Sequence, residues 1–69
     1  MLFRSGAKRY LTVEEVAEYL CVSIWMVYKL VKTREIPFLF IGRLVRFDRV
    51  EVDRWAGRRM VRGRREVLK

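Results

Sequence analysis

The chain has a single proline, Pro37, and the hydrophobic patterning changes on either side of it. A proline pushes the residue before it out of the helical region, so Glu35-Ile36-Pro37 closes whatever helix precedes it. Upstream, apolar residues recur at helical spacing. Downstream, Phe38-Leu39-Phe40-Ile41 and Leu44-Val45-Arg46-Phe47 flank Gly42-Arg43, the pattern of a β-hairpin with a tight glycine-containing turn. Helices must therefore come first and an extended pair after them.

The helix ends are marked by caps. Thr12-Val13-Glu14-Glu15 has the form of a capping box, in which the Thr12 hydroxyl accepts from the Glu15 backbone and the Glu15 carboxylate reaches back to the cap. A helix of about two turns should start at Val13, with Val13, Val16, Ala17 and Leu20 on its inner face. Its acids, Glu14 and Glu15, suit the positive end of the helix dipole. Cys21-Val22-Ser23 breaks the pattern, and Ser23 is a good N-cap for a second helix over residues 24–33.

At about 100° per residue, Met26, Val27, Leu30 and Val31 fall on one side of this second helix, and Trp25, Tyr28, Lys29 and Lys32 on the other. Two aromatics and two lysines on an outward face suit contact with bases and phosphates. Beyond the hairpin, Asp48-Arg49-Val50-Glu51 reads as a second capping box. It opens a third helix that carries Val52, Trp55 and Ala56, with Val52 and Trp55 packing onto the hairpin. Gly57 weakens this helix by about 1 kcal/mol relative to alanine, and Gly63 is expected to end any extension. Alternation along the hairpin assigns Leu39, Ile41, Val45 and Phe47 to the core. It leaves Phe38, Phe40, Leu44 and Arg46 as an outer face that is unusually apolar.

The expected architecture is thus mainly α with a small β-hairpin: helix, three-residue turn, helix, two-stranded wing over residues 38–47, helix. That is a winged helix-turn-helix. Residues 1–9 read as a flexible basic arm, 10–61 as the domain and 62–69 as a basic tail.

Composition narrows the function. A chain of 69 residues has room for one small core and little for an enclosed substrate pocket. With no histidine and one cysteine, Cys21, no metal cluster or intramolecular disulfide is expected, and no nucleophile with its base is visible. We therefore expect no enzyme, no cofactor, no metal and no small-molecule substrate. The lone thiol and the absence of a long apolar run point to a cytoplasmic, nucleoid-associated protein with no membrane partner. Sixteen Lys and Arg against eight Asp and Glu give a formal charge of +8. Such an excess is suited to a polyanionic partner, and double-stranded DNA leads. Beyond Gly57, Arg58, Arg59, Arg62, Arg64, Arg65 and Lys69 face only one acid, Glu66.

One ordered series of residues resembles a known family. Leu11-Thr12, Leu20, Val22-Ser23, Val27-Tyr28, Leu30-Val31, Glu35-Ile36-Pro37, Ile41-Gly42-Arg43 and Arg46-Phe47, spread over Tyr10 to Trp55, are similar to the small excisionase-like DNA-binding domains related to the MerR group. The resemblance implies that the second helix enters a major groove and the hairpin lies on the adjacent backbone or minor groove. It also implies that the N-terminus of the first helix, at Thr12, faces a phosphate. Tyr28 and Lys29 match recognition-helix positions, Arg43 the wing tip, and Arg46 the outward basic residue of the second wing strand. Excisionase-like proteins place several copies along one DNA site, and some contact a recombinase, so both are expected partners.

The chain also departs from the family pattern. Ile24 and Trp25 stand where basic or polar residues are frequent, and Met26 where threonine is common. Cys21 and Arg34 stand where glycine often makes the turn and ends the second helix, which implies backbone strain at both. The expected DNA-contacting set is Thr12, Ser23, Trp25, Tyr28, Lys29, Lys32, Arg43, Arg46, Arg58, Arg59 and Arg62. An alternative reading uses Ile24, Trp25, Phe38, Phe40 and Leu44 as one apolar face for self-assembly or protein binding. In a further reading the outer wing face is covered by Leu2 and Phe3 of the arm.

Overall fold

The structure, a computed structural model, describes residues 8–61. The expected roles of Arg62, of the remainder of the 62–69 tail and of Leu2 and Phe3 lie outside these residues. The elements in chain order are β1 (Tyr10–Leu11), α1 (Val13–Leu20), α2 (Ile24–Lys32), β2 (Leu39–Ile41), β3 (Leu44–Asp48) and α3 (Arg49–Arg58). Three helices with a small antiparallel sheet in this order make a winged helix-turn-helix.

The first capping box forms as its spacing predicts. Thr12 Oγ1 accepts from the Glu15 backbone N–H at 3.1 Å, and the Thr12 backbone N–H donates to Glu15 Oε1 at 3.0 Å. Ser23 Oγ accepts from the Met26 N–H at 3.0 Å and so starts α2. Both helices end in a residue of left-handed conformation, Cys21 at φ 60° and Arg34 at φ 58°, the two positions at which backbone strain was expected. Each end is closed by a matching pair of bonds. Cys21 and Val22 donate to the Glu18 and Ala17 carbonyls at 3.2 and 2.9 Å, and Arg34 and Glu35 donate to the Val31 and Leu30 carbonyls at 3.0 and 2.8 Å. This is the Schellman arrangement, built here without glycine.

The sheet has three strands in the order β1-β3-β2, one more than the hairpin predicted from the sequence. Tyr10 and Leu11 pair with Asp48 and Phe47. A two-residue segment carries too little alternation to announce itself. Lys8 and Arg9, expected in the loose arm, are bonded to the domain: the Arg49 N–H donates to the Arg9 carbonyl at 2.7 Å and Arg49 Nε to the Lys8 carbonyl at 2.9 Å.

The hairpin register corrects the expected faces. Ile41 pairs with Leu44, Phe40 with Val45 and Leu39 with Arg46, and cross-strand partners share a face. Leu39, Ile41, Leu44 and Arg46 therefore lie on one side, and Phe40 and Val45 on the other. Alternation continued straight through the turn predicts the other faces, but a two-residue loop makes its flanking residues, Ile41 and Leu44, partners and shifts the parity by one. Ile41, expected in the core, is exposed. Phe38, expected outside, packs against the core, and its ring meets that of Phe40 edge-on at 5.6 Å. Gly42 at φ 64° opens the turn and Arg43 keeps negative φ, the pattern of a type II′ turn.

The core consists of Leu11, Val13, Val16, Ala17, Val27, Ile36, Phe47 and Val52, joined at its margin by Leu20, Leu30, Val31, Phe38, Val45 and Trp55. Every element except β2 contributes. The cap of α3 differs from the expected box. Asp48 Oδ1 accepts from the Val50 N–H at 3.1 Å, while the Glu51 carboxylate turns to Arg54 Nη1 at 3.0 Å instead of returning to the cap. Helix α3 runs through Gly57 to Arg58. The Tyr19 hydroxyl donates to Asp53 Oδ1 at 2.7 Å, tying α1 to α3 and raising the phenol pKa.

Candidate nucleic-acid interface

Helix α2 buries Val27 and turns its opposite face outward. Trp25 is 66 % and Tyr28 55 % exposed, and Lys29 and Lys32 are exposed beside them. The Lys29 ammonium stands 5.3 Å from the centroid of the Trp25 ring, a cation–π pair that holds a flexible cation against a flat aromatic. Trp25, Tyr28, Lys29 and Lys32 together line a shallow depression of about 340 Å³.

Tyr28 also borders a second depression of about 340 Å³ that runs from the N-terminus of α1 to the wing, lined by Thr12, Val13, Glu14, Arg43, Leu44, Val45 and Arg46. The two depressions meet at Tyr28, so α2, the start of α1 and the hairpin present one continuous surface. Seven of the expected DNA-contacting residues, Thr12, Trp25, Tyr28, Lys29, Lys32, Arg43 and Arg46, lie on it.

The remaining expected residues are placed elsewhere. Ser23 caps α2. Arg59 stacks its guanidinium 4.7 Å from the Trp55 centroid and donates to Glu35 Oε1 at 3.3 Å, so it braces the end of α3. Arg58 is exposed and lines neither depression. Arg62 is outside the described residues. The residues of the alternative apolar face are divided. Phe40 lies on the hairpin face opposite to Leu44 and Phe38 packs on the core, whereas Leu44 and Trp25 line the two adjoining depressions.

The cations divide into two populations. Lys8 pairs with Glu15, Arg9 with Asp48, Arg49 with Asp53, Arg54 with Glu51 and Arg59 with Glu35. Among the described residues, Lys29, Lys32, Arg34, Arg43, Arg46 and Arg58 have no carboxylate within 4.0 Å. All four cations that line the two depressions belong to the second group. Arg46 Nη1 donates to the Val45 carbonyl at 2.8 Å, which fixes its half-buried side chain through a neutral acceptor.

Three lining residues are absent from the set expected from the sequence. Val13 and Val45 are assigned there wholly to the core, and Glu14 only as a favourable charge at the start of α1. Yet Glu14 places a carboxylate on the surface that also carries Arg43 and Arg46. Its signal is its position in the first turn: a residue two steps past the cap flanks whatever approaches the free N–H groups there.

The carboxyls of Glu15 and Asp48 are both held below their ordinary range. For Glu15 the cause is the Lys8 ammonium followed by the Thr12 backbone N–H, and for Asp48 it is the Arg9 guanidinium. Among the described residues no group of three or more His, Cys, Asp or Glu is placed to hold a metal ion, and no helix is long and apolar enough to cross a membrane.

Comparison with known proteins agrees with this geometry. A family profile described as a helix-turn-helix domain matches residues 10–60, which takes in α1, α2, the wing and α3. No curated protein and no solved structure matches the chain. The chain belongs to the helix-turn-helix domain family, and double-stranded DNA is the partner this membership implies.

Proposed function

We propose that this domain is a sequence-preferring DNA-binding protein of the excisionase-like or transcriptional-regulator type. Helix α2 enters the major groove and the hairpin lies on the adjacent backbone or minor groove. The observation that carries this reading is the sorting of charge: Lys29, Lys32, Arg43 and Arg46 share one surface with Tyr28 and the first turn of α1, and among the described residues none has a carboxylate within 4.0 Å. Unpaired cations on one surface self-repel, which costs stability unless a polyanion meets them.

Roles divide along the same line. Arg43, projecting from the turn, and Arg46, on the second wing strand, neutralise phosphates. Trp25, Tyr28 and Lys29 face base edges. Basic residues of the two ends, Arg62 among them, add affinity without sequence information. Further copies along one site, or a recombinase, are the protein partners that fit a domain of this type.

The test is a binding titration against duplex DNA at several salt concentrations. If about six phosphates are neutralised, log affinity falls against log salt with a slope of about −5. A flat response, or no binding to any duplex at low salt, overturns the proposal.

A further inference from the structure

Helix α2 lacks most side chains that read base edges by hydrogen bonds. Its sequence, IWMVYKLVK, contains no Arg, Asn, Gln, Asp or Glu. The hydroxyls at its two ends are occupied: Ser23 Oγ caps the helix, and Thr33 Oγ1 lies 3.0 Å from the Lys29 carbonyl and 2.9 Å from Glu35 Oε2. Lys29, which could approach guanine, is held over the Trp25 ring. What the helix offers instead is apolar. In its first turn Ile24 is 44 % and Trp25 66 % exposed, and Tyr28 lies between them around the helix.

The major groove presents few apolar features. The C5-methyl group of thymine is the one that distinguishes it there, and the N-terminal residues of a recognition helix are those that reach base edges. Resting on the DNA-binding reading above, we propose that Ile24 and Trp25 read pyrimidine C5-methyl groups in the major groove, with Trp25 also positioning the Lys29 ammonium. Thymine and 5-methylcytosine present the same methyl at the same place. Cytosine methylation within the site therefore strengthens binding where a plain cytosine is disfavoured.

The experiment first selects a preferred site from a random duplex pool. The site is then synthesised with thymine and with deoxyuridine, which removes only the methyl. The chain should bind the deoxyuridine duplex more weakly, by roughly fourfold for each methyl contacted. Replacing a disfavoured cytosine at a contacted position by 5-methylcytosine should recover affinity by a similar factor. In Trp25→Ala and Ile24→Ala the thymine-to-deoxyuridine gap should shrink, and since both side chains are exposed, their melting temperatures should stay close to that of the parent chain.

Equal binding of the two duplexes, with the selected site still preferred over a scrambled one, overturns the inference and leaves the DNA-binding reading intact. A gap that persists unchanged in both variants also overturns it, because the difference then comes from duplex shape. Failure to bind any duplex at low salt overturns the DNA-binding reading and the inference together.

Discussion

The Arg9 guanidinium clamps the Asp48 carboxylate with two hydrogen bonds, Nε to Oδ1 at 3.0 Å and Nη2 to Oδ2 at 3.1 Å. Asp48 is at once the last residue of β3, the partner of Tyr10 across the sheet and the N-cap of α3. One carboxylate therefore joins the N-terminal strand, the wing and the C-terminal helix. Strand β1 is only two residues long, and this clamp, with the Arg49 bonds to the carbonyls of Lys8 and Arg9, compensates for its short ladder.

That junction makes stability depend on pH in the acid range. Asp48 and Glu15 both have folded-state pKa values below their ordinary ones, so each contributes stability that is fully present above the unfolded pKa of about 4. The contribution is lost as pH falls through the lower, folded value. Melting temperature should be level from about pH 6 down to about pH 5 and fall below about pH 4. Asp48→Asn should melt lower at neutral pH and show a shallower acid decline. An unchanged acid profile in this variant would show that the clamp does not carry the effect.

The two left-handed helix ends predict stabilising substitutions. A side chain in this conformation costs roughly 1–2 kcal/mol, which glycine avoids while giving up part of the gain to its freer unfolded state. Cys21→Gly and Arg34→Gly should each stabilise by up to about 1 kcal/mol, a rise in melting temperature of about 4–8 °C for a domain of this size. Alanine at either position keeps the strain, so it should give no such rise. Thermal unfolding of the four variants checks this, and an equal response to alanine and glycine would contradict it.

Those two residues also show what was legible in the sequence and why. Caps and helix periods are local, and Thr12, Ser23, the break at Cys21-Val22 and the Glu35-Ile36-Pro37 stop mark the ends of α1 and α2 from neighbouring residues alone, whereas Arg34 is singled out only by the family resemblance. The outward set of α2 followed from the same periodicity. What failed depended on pairing between distant segments. The hairpin faces turned on which residue meets Leu44, and that partner, Ile41, is set by turn length and not by composition. Strand β1 exists only because β3 offers it an edge. For the site, the α2 and wing residues were named, but their meeting at Tyr28 and the intrusion of Glu14 are tertiary facts.

Ile36 was read only as part of a helix stop, yet it is 2 % exposed and belongs to the core cluster. It precedes the proline that turns the chain from α2 toward the wing. Ile36→Ala should therefore leave a cavity and destabilise by about 2–4 kcal/mol, whereas Ile24→Ala on the exposed face should change stability little. Urea unfolding of both variants decides this. Comparable midpoints would mean that Ile36 does not support the junction.

Tyr28 and Arg43 should fail in different ways, because they occupy different parts of one surface. Arg43 sits beside Gly42 at the wing turn, and in the proposed reading it meets a phosphate wherever the domain sits on a duplex. Arg43→Ala should weaken binding to all sequences about equally and make the salt slope shallower by about one. Tyr28 joins the two depressions on the outward face of α2, and on the proposed reading, in which that face meets the bases, its loss removes contacts that differ between sequences. Tyr28→Ala should reduce the preference for a selected site over a scrambled duplex, while non-specific affinity and salt slope stay close to those of the parent chain. Titrations of both variants against both duplexes at two salt concentrations measure these terms separately. If the two substitutions lower specific and non-specific affinity by the same factor, the division between the wing as anchor and α2 as reader is wrong.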